Sequence, residues 1–163
     1  MTTWKRWFRH LFTDHWAVKR AFPSPVLRAI EKAIGEEERR HGGQLRFAVE
    51  ASLPLGELLR GVQSRGRAVE WFGRLRVWDT EHNNGVLIYL LLADRDVEIV
   101  ADRGIHAKTG TQWEEICRAM EAELKQGNYE KAVTDGIRAV ARHLARHFPR
   151  GRVNELPDKP VVL

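Results

Sequence analysis

Cysteine is almost missing from this 163-residue chain: Cys117 stands alone, which excludes an internal disulfide and a cysteine metal knuckle. A reducing cytoplasm is the compartment such a composition suggests. No apolar run approaches the roughly 18 residues that a membrane-spanning helix needs, and the stretch after Met1 has no uninterrupted apolar segment of signal-peptide length. The chain is therefore expected to be neither exported by that route nor embedded in a bilayer. Internal repeats, low-complexity blocks, an EF-hand loop and an HExxH motif are also lacking. Charge of one sign does not dominate either: 27 Lys and Arg face 22 Asp and Glu, a net charge of +5. That balance favours anionic partners slightly and implies no specific nucleic-acid binding.

What the sequence does contain is periodicity. Trp4, Trp7, Phe8, Leu11 and Phe12 recur at helical spacing with Lys5, Arg6 and Arg9 between them, so residues 1–21 read as a basic amphipathic helix. Such a helix either docks on the domain or a partner chain, or lies on an anionic membrane surface through Trp4, Trp7, Phe8 and Phe12. After Pro23, Ser24 is a helix cap and Pro25 suits the first turn, with Leu27, Ile30 and Ile34 as the apolar stripe and Gly42-Gly43 as the stop. QLRFAVEAS alternates as a strand. Leu55 to Val77 reads as a helix that Gly61 and Gly66 weaken.

VLIYLLLA is apolar at every position and must be covered on both faces, as in the centre of a sheet. DRD then turns the chain into VEIVAD, an antiparallel neighbour. Two helices follow, one from Thr111 to about Lys125 opened by a Thr111/Glu114 capping box, the other from Tyr129 to Phe148. Residues 149–163, with Pro157 and Pro160, read as an extended tail. The order predicts an α/β sandwich whose helical crossover joins parallel strands.

The run from Trp78 to Gly104, WDTEHNNGVLIYLLLADRDVEIVADRG, resembles the core of the TPM-domain family: an NNG before a hydrophobic strand, a short charged turn, and a second strand ending near a glycine. The likeness extends from about Phe22 to Phe148 and includes a GxY motif, Gly127-Asn128-Tyr129, at the start of the last helix. The resemblance implies a three-layer α/β/α sandwich around a small mixed sheet, in residues 22–148. It implies no organic cofactor. Phosphatase activity and calcium binding are attributed to some members, and many carry an export signal and a membrane anchor that this sequence does not display. A bacterial, cytoplasmic binding or accessory module with an unknown protein partner or anionic ligand is the matching expectation.

Candidate sites follow from the hairpin. If Asp94 and Arg95 form a two-residue turn, Leu87 stands opposite Asp102 and Asn84 opposite Ile105, so DTEHNNG and ADRG meet at one end of the sheet. Asp79, Glu81, Asn83, Asn84 and Asp102 then offer oxygen ligands suited to Ca²⁺ or Mg²⁺; Asp79, Glu81, Asn84 and Asp102 are the expected metal set, and His82 is the nearest general base. The structural alternative makes Asp79 or Thr80 a helix end, Asn83-Asn84-Gly85 a turn, and Asp102 a partner of Arg103 or Arg74.

Three further patterns carry chemistry less well. Asp94-Arg95-Asp96-Val97 matches the DxDx(T/V) nucleophile signature of haloacid dehalogenase-type phosphatases, yet a strand follows at once, which suits a turn with its charges in water. Arg138, Arg142, Arg146 and Arg150 form a stripe, and His143 and His147 a pair, on a helix whose buried face lies elsewhere. Cys117 has no anion-binding loop and reads as a small core residue.

Overall fold

The structure, a computed structural model, describes residues 3–109, 112–149 and 154–163. Its centre is β2 (Gly85–Leu91), all seven residues of which are buried, as the unbroken apolar run requires. β1 (Gln44–Glu50) lies parallel to it on one side and β3 (Asp96–Ala101) antiparallel on the other. A two-residue strand, β4 (Val161–Val162), adds to the free side of β1, giving the order β3-β2-β1-β4. The tail expected to be extended coil is thus partly a strand. Leu163 donates to the Val49 carbonyl, Leu156 is buried, and the Gln44 side-chain oxygen accepts from the amides of Glu155 and Leu156.

Helices cover both faces, so the three-layer α/β/α arrangement holds. One face of the sheet carries Phe47, Val49, Val86, Ile88, Leu90, Val97 and Ile99 against α3 (Ser24–Glu38), α7 (Gln112–Lys125) and α8 (Tyr129–His147). The other face carries Ala48, Leu87, Tyr89 and Val100 against α4 (Leu55–Leu59) and α5 (Ser64–Arg74). The single helix expected from Leu55 to Val77 is broken because Gly61 takes a left-handed φ of 72°, which a glycine adopts without strain. A short helix, α6 (Arg103–Thr109), follows β3 where none was expected. Ser24 lies inside α3, with Pro23 in the capping position, and the helix ends at Glu38 before the glycine pair is reached. Thr111, the expected cap of α7, lies outside the described residues, and so does Arg150.

Beneath α5 a polar knot is buried. Arg67 donates to Glu50 (2.6 and 2.9 Å), Glu57 (3.0 Å) and Glu70 (2.8 Å), and Glu50 also accepts from the Tyr89 hydroxyl at 2.5 Å and the Trp71 indole at 3.2 Å. The carboxylates hold the Arg67 guanidinium above its ordinary pKa, and burial, with Glu50 beside it, pushes the Tyr89 phenol up.

The outward edge of β3 is occupied by side chains. Glu121 accepts from the Val97 amide at 3.3 Å, Arg65 donates to the Ile99 carbonyl at 2.7 Å, and the Ile99 backbone hydrogen-bonds the Cys117 thiol. Burial, with Glu98 and Glu121 nearby, pushes that thiol up to about 12, and Cys117 packs half-buried against the core.

The amino-terminal segment is two helices, α1 (Thr3–Phe12) and α2 (His15–Ala21), with Asp14 capping the second by accepting from Ala17. Polar groups of α1 face the domain. Arg6 and Arg9 donate to Asp94 at 2.9 and 2.8 Å, and His10 Nε2 lies 3.1 Å from the same carboxylate. His10 Nδ1 accepts from the Leu53 amide, which leaves the Nε2 proton for Asp94. Burial alone would push the Asp94 carboxyl up; His10 and Arg6 pull it below its ordinary value instead. Asp94 is therefore an anchor for α1 rather than a turn charge left in water.

Candidate functional site

The expected meeting of the two loops occurs, in a register two residues from the one counted. Leu87 pairs with Val100 and Leu91 with Asp96, so residues 92–95 all belong to the turn. The reason lies on the opposite side of β2: Leu92 and Ala93 donate to the carbonyls of Glu50 and Ala51, which extends the pairing with β1 and withdraws them from β3. A shift of two preserves every side chain's face. Asp102 donates from its backbone to Gly85, and Gly104 to Asn83 at 3.1 Å, so the start of β2 does adjoin the end of β3.

The four expected cation ligands divide into two pairs. Asp79 and Glu81 lie on the exposed loop, Asp79 held by Arg76 at 2.8 Å. Asn84 and Asp102 are buried, at 2% and 7% exposure. Asn84 donates its side-chain amide to the Gly42 carbonyl, and Asp102 Oδ1 accepts from the Arg103 amide at 2.6 Å. Asn84 Oδ1 and Asp102 Oδ2 have no hydrogen-bond partner. Arg74 goes to Glu70 instead of Asp102. Asn83 sits at a left-handed φ of 50°, and the carbonyls of His82 and Asn83 close on Gly104, where an added Cβ would stand 2.9 and 2.6 Å from them. Only glycine lets the two loops approach so closely. His82 itself is exposed, 4.0 Å from Glu81.

Sequence reasoning missed two members of this end of the sheet, Glu38 and His41. They lie in EEERRHGG, where no spacing or motif marks them out. Glu38 Oε1 accepts from the Leu45 amide at 2.6 Å, while His41 Nδ1 accepts from Gly43 at 3.1 Å; Glu38 Oε2 and His41 Nε2 are buried without partners. Burial raises the Glu38 carboxyl to about 8 despite the Leu45 hydrogen bond, with the Asp158 carboxyl adding to the rise. Burial lowers His41 to about 4.

These two shifts give stability opposite slopes in pH. Between about 4.5 and 8 the folded chain keeps a proton on Glu38 that the unfolded chain has lost, so this contribution falls as pH rises. Between about 6.5 and 4 the unfolded chain takes a proton on His41 that the folded chain refuses, so that contribution falls as pH falls. Glu38→Gln keeps the acceptor for Leu45 and removes the charge. Its expected gain is about 2–3 kcal/mol at pH 8, with little change at pH 4.5, after discounting for solvent screening. Urea unfolding at the two pH values reads this; an equal effect at both would contradict it.

Other candidate groups lie apart. His143 meets Trp113 edge-on at 5.7 Å, and burial, with Arg146 and Arg142, lowers its pKa. Arg138 pairs with Asp135. Among the described residues no group of three or more His, Cys, Asp or Glu side chains is placed to hold a metal ion, and no helix is long and apolar enough to cross a membrane.

A family model described as the TPM domain matches residues 22–143. Among solved structures, the BA42 protein of the psychrophilic bacterium Bizionia argentinensis is similar at 28% identity, over 87% of this chain and 95% of that one, with a TM-score of 0.76. The N-terminal domain of a protein from P. gingivalis shares the fold at 15% identity, over 81% and 82% of the two chains, with a TM-score of 0.62. No curated protein sequence matches.

Proposed function

Because this chain belongs to the TPM-domain family, we propose that it is a binding module that holds a divalent cation, Ca²⁺ or Mg²⁺, where the starts of β1 and β2 meet the end of β3. One observation carries the reading: Asn84 Oδ1 and Asp102 Oδ2 are buried oxygens without a donor at the same end of the sheet. A buried acceptor left unpaired costs about 1–3 kcal/mol, and a hard cation satisfies it with its own charge. The backbone carbonyls of His82 and Asn83, which close on Gly104, are further oxygens at the same end, although that of Asn83 already accepts from the Gly104 amide. Asp79 and Glu81, exposed on the loop, contribute long-range attraction. With one buried carboxylate the affinity is expected to be modest, a Kd of about 10⁻⁴–10⁻³ M.

Titration of the labelled protein with CaCl₂ or MgCl₂, followed by amide NMR shifts, tests this. Shifts are expected at residues 83–85 and 102–104, and Asp102→Asn is expected to weaken binding at least about tenfold. Absence of shifts with either ion, or an unchanged Asp102→Asn titration, overturns the proposal. The same ion would polarise a phosphoryl oxygen, with His82 as the available base. Phosphoester turnover that disappears in Asp102→Asn would make the module an enzyme.

A further inference from the structure

The apolar side of α1 points away from the protein. Trp4, Leu11 and Phe12 are 71%, 72% and 74% exposed, and Trp16 of α2 is also open. Trp4 packs edge-on against Phe8 at 4.9 Å and Phe8 stacks on Phe12 at 6.1 Å, so the rings form a ridge along the helix. Beside it runs an apolar groove of about 780 Å³ between α1 and α4, lined by Trp4, Trp7, Leu11, Leu53, Leu55 and Leu58. Exposed Leu55 and Leu59 extend the same surface. An amphipathic helix that docked only to bury its apolar stripe would be turned the other way. Here Asp94 holds the polar side inward and fixes the aromatic side outward.

Charge decides what the ridge meets. Residues 3–21 contain five Lys and Arg, namely Lys5, Arg6, Arg9, Lys19 and Arg20, and a single acid, Asp14. Asp94 answers Arg6 and Arg9; Lys5, Lys19 and Arg20 remain exposed, and the Lys19 ammonium lies 4.9 Å over the Trp16 ring. A second cleft, at Thr13 and Ala17, is lined by Arg9, Arg20 and Arg95 and by no carboxylate. A second copy of this chain would bring like charges together. We propose that this aromatic and basic surface seats the domain on an anionic phospholipid bilayer, with Trp4, Phe8, Leu11, Phe12 and Trp16 at the acyl boundary and Lys5, Lys19 and Arg20 among the headgroups. Tryptophan and phenylalanine flanked by cations suit that interface, and their binding combines buried apolar area with attraction to anionic lipid.

Co-sedimentation of the full chain with phosphatidylcholine vesicles, with and without roughly a third phosphatidylglycerol, tests this. Partition into the anionic vesicles is expected to exceed that into the neutral ones about tenfold or more and to weaken with salt. Leu11→Glu with Phe12→Glu is expected to abolish it, and Lys5→Glu with Lys19→Glu to reduce it about tenfold, while both pairs unfold in urea as the parent does. No partition, equal partition into both vesicles, or insensitivity to both pairs of substitutions overturns the proposal. So does sedimentation equilibrium showing a dimer that Leu11→Glu with Phe12→Glu dissolves in a chain that ignores vesicles.

Discussion

Replacing Arg67 by alanine is expected to destabilise the domain by about 3–5 kcal/mol, enough to lower the melting temperature by about 10 °C. Both partners of the Arg67–Glu50 pair are buried, so removing the guanidinium leaves the Glu50 carboxylate in a low-dielectric site with only the Tyr89 hydroxyl and the Trp71 indole as donors. Glu57 and Glu70 lose the same partner. The penalty comes from the stranded charge more than from the lost attraction. Arg67→Met combined with Glu50→Gln should therefore recover at least half of it, because the amide oxygen still accepts from Tyr89 and carries no charge. Urea unfolding of the two variants decides: a loss below about 1 kcal/mol for Arg67→Ala, the size of a surface pair, would refute this account.

Gly85→Ala carries the second large effect. An added Cβ would collide with the Val77 carbonyl oxygen, a backbone atom that cannot rotate aside as a side chain would. The start of β2 or the turn at Val77 that follows α5 must move, at a cost of about 3 kcal/mol or more. The displacement would also pull on the Asn84 carbonyl, which accepts from Gln44, and on the Gly85 carbonyl, which accepts from Asp102. Gly85→Ala should thus lose both stability and the cation response, whereas Asp102→Asn should lose the response alone. Gly66 is the control. It sits in α5 with nothing within 4 Å of an added Cβ, so Gly66→Ala is expected to stabilise by about 0.5–1 kcal/mol. Thermal unfolding of the three variants separates these outcomes.

These cases show where residue patterns carry information and where they stop. The run from Val86 to Leu92 told of a strand covered on both faces because composition alone excludes water from it. The parallel crossover followed from the intervening helical segment, and β1 does pair parallel with β2. The turn was less legible, since nothing in DRD reveals that Leu92 and Ala93 are taken by β1 or that Asp94 is drawn inward by Arg6 and His10. Two residues, Val161 and Val162, are too few to announce an edge strand. Asn84 and Asp102 were legible because the hairpin count places them together even with its register in error by two. Glu38 and His41 were not, because only tertiary burial raises that carboxyl and lowers that imidazole, and no spacing in EEERRHGG announces it. The helical period of α1 was plain, but which side faces the domain depends on one acid more than eighty residues away.

The side chains along the outer margin of β3 bear on how this protein behaves in company. An open strand margin is a template for fibril growth, since the next chain needs only free amides and carbonyls to attach. Here Glu121 already holds the Val97 amide, Arg65 holds the Ile99 carbonyl, and Cys117 bonds the Ile99 backbone. An incoming strand would have to evict them to pair along Val97 and Ile99. Concentrated solutions should accordingly resist fibrillation, and Arg65→Ala with Glu121→Ala should shorten the lag before a thioflavin signal rises.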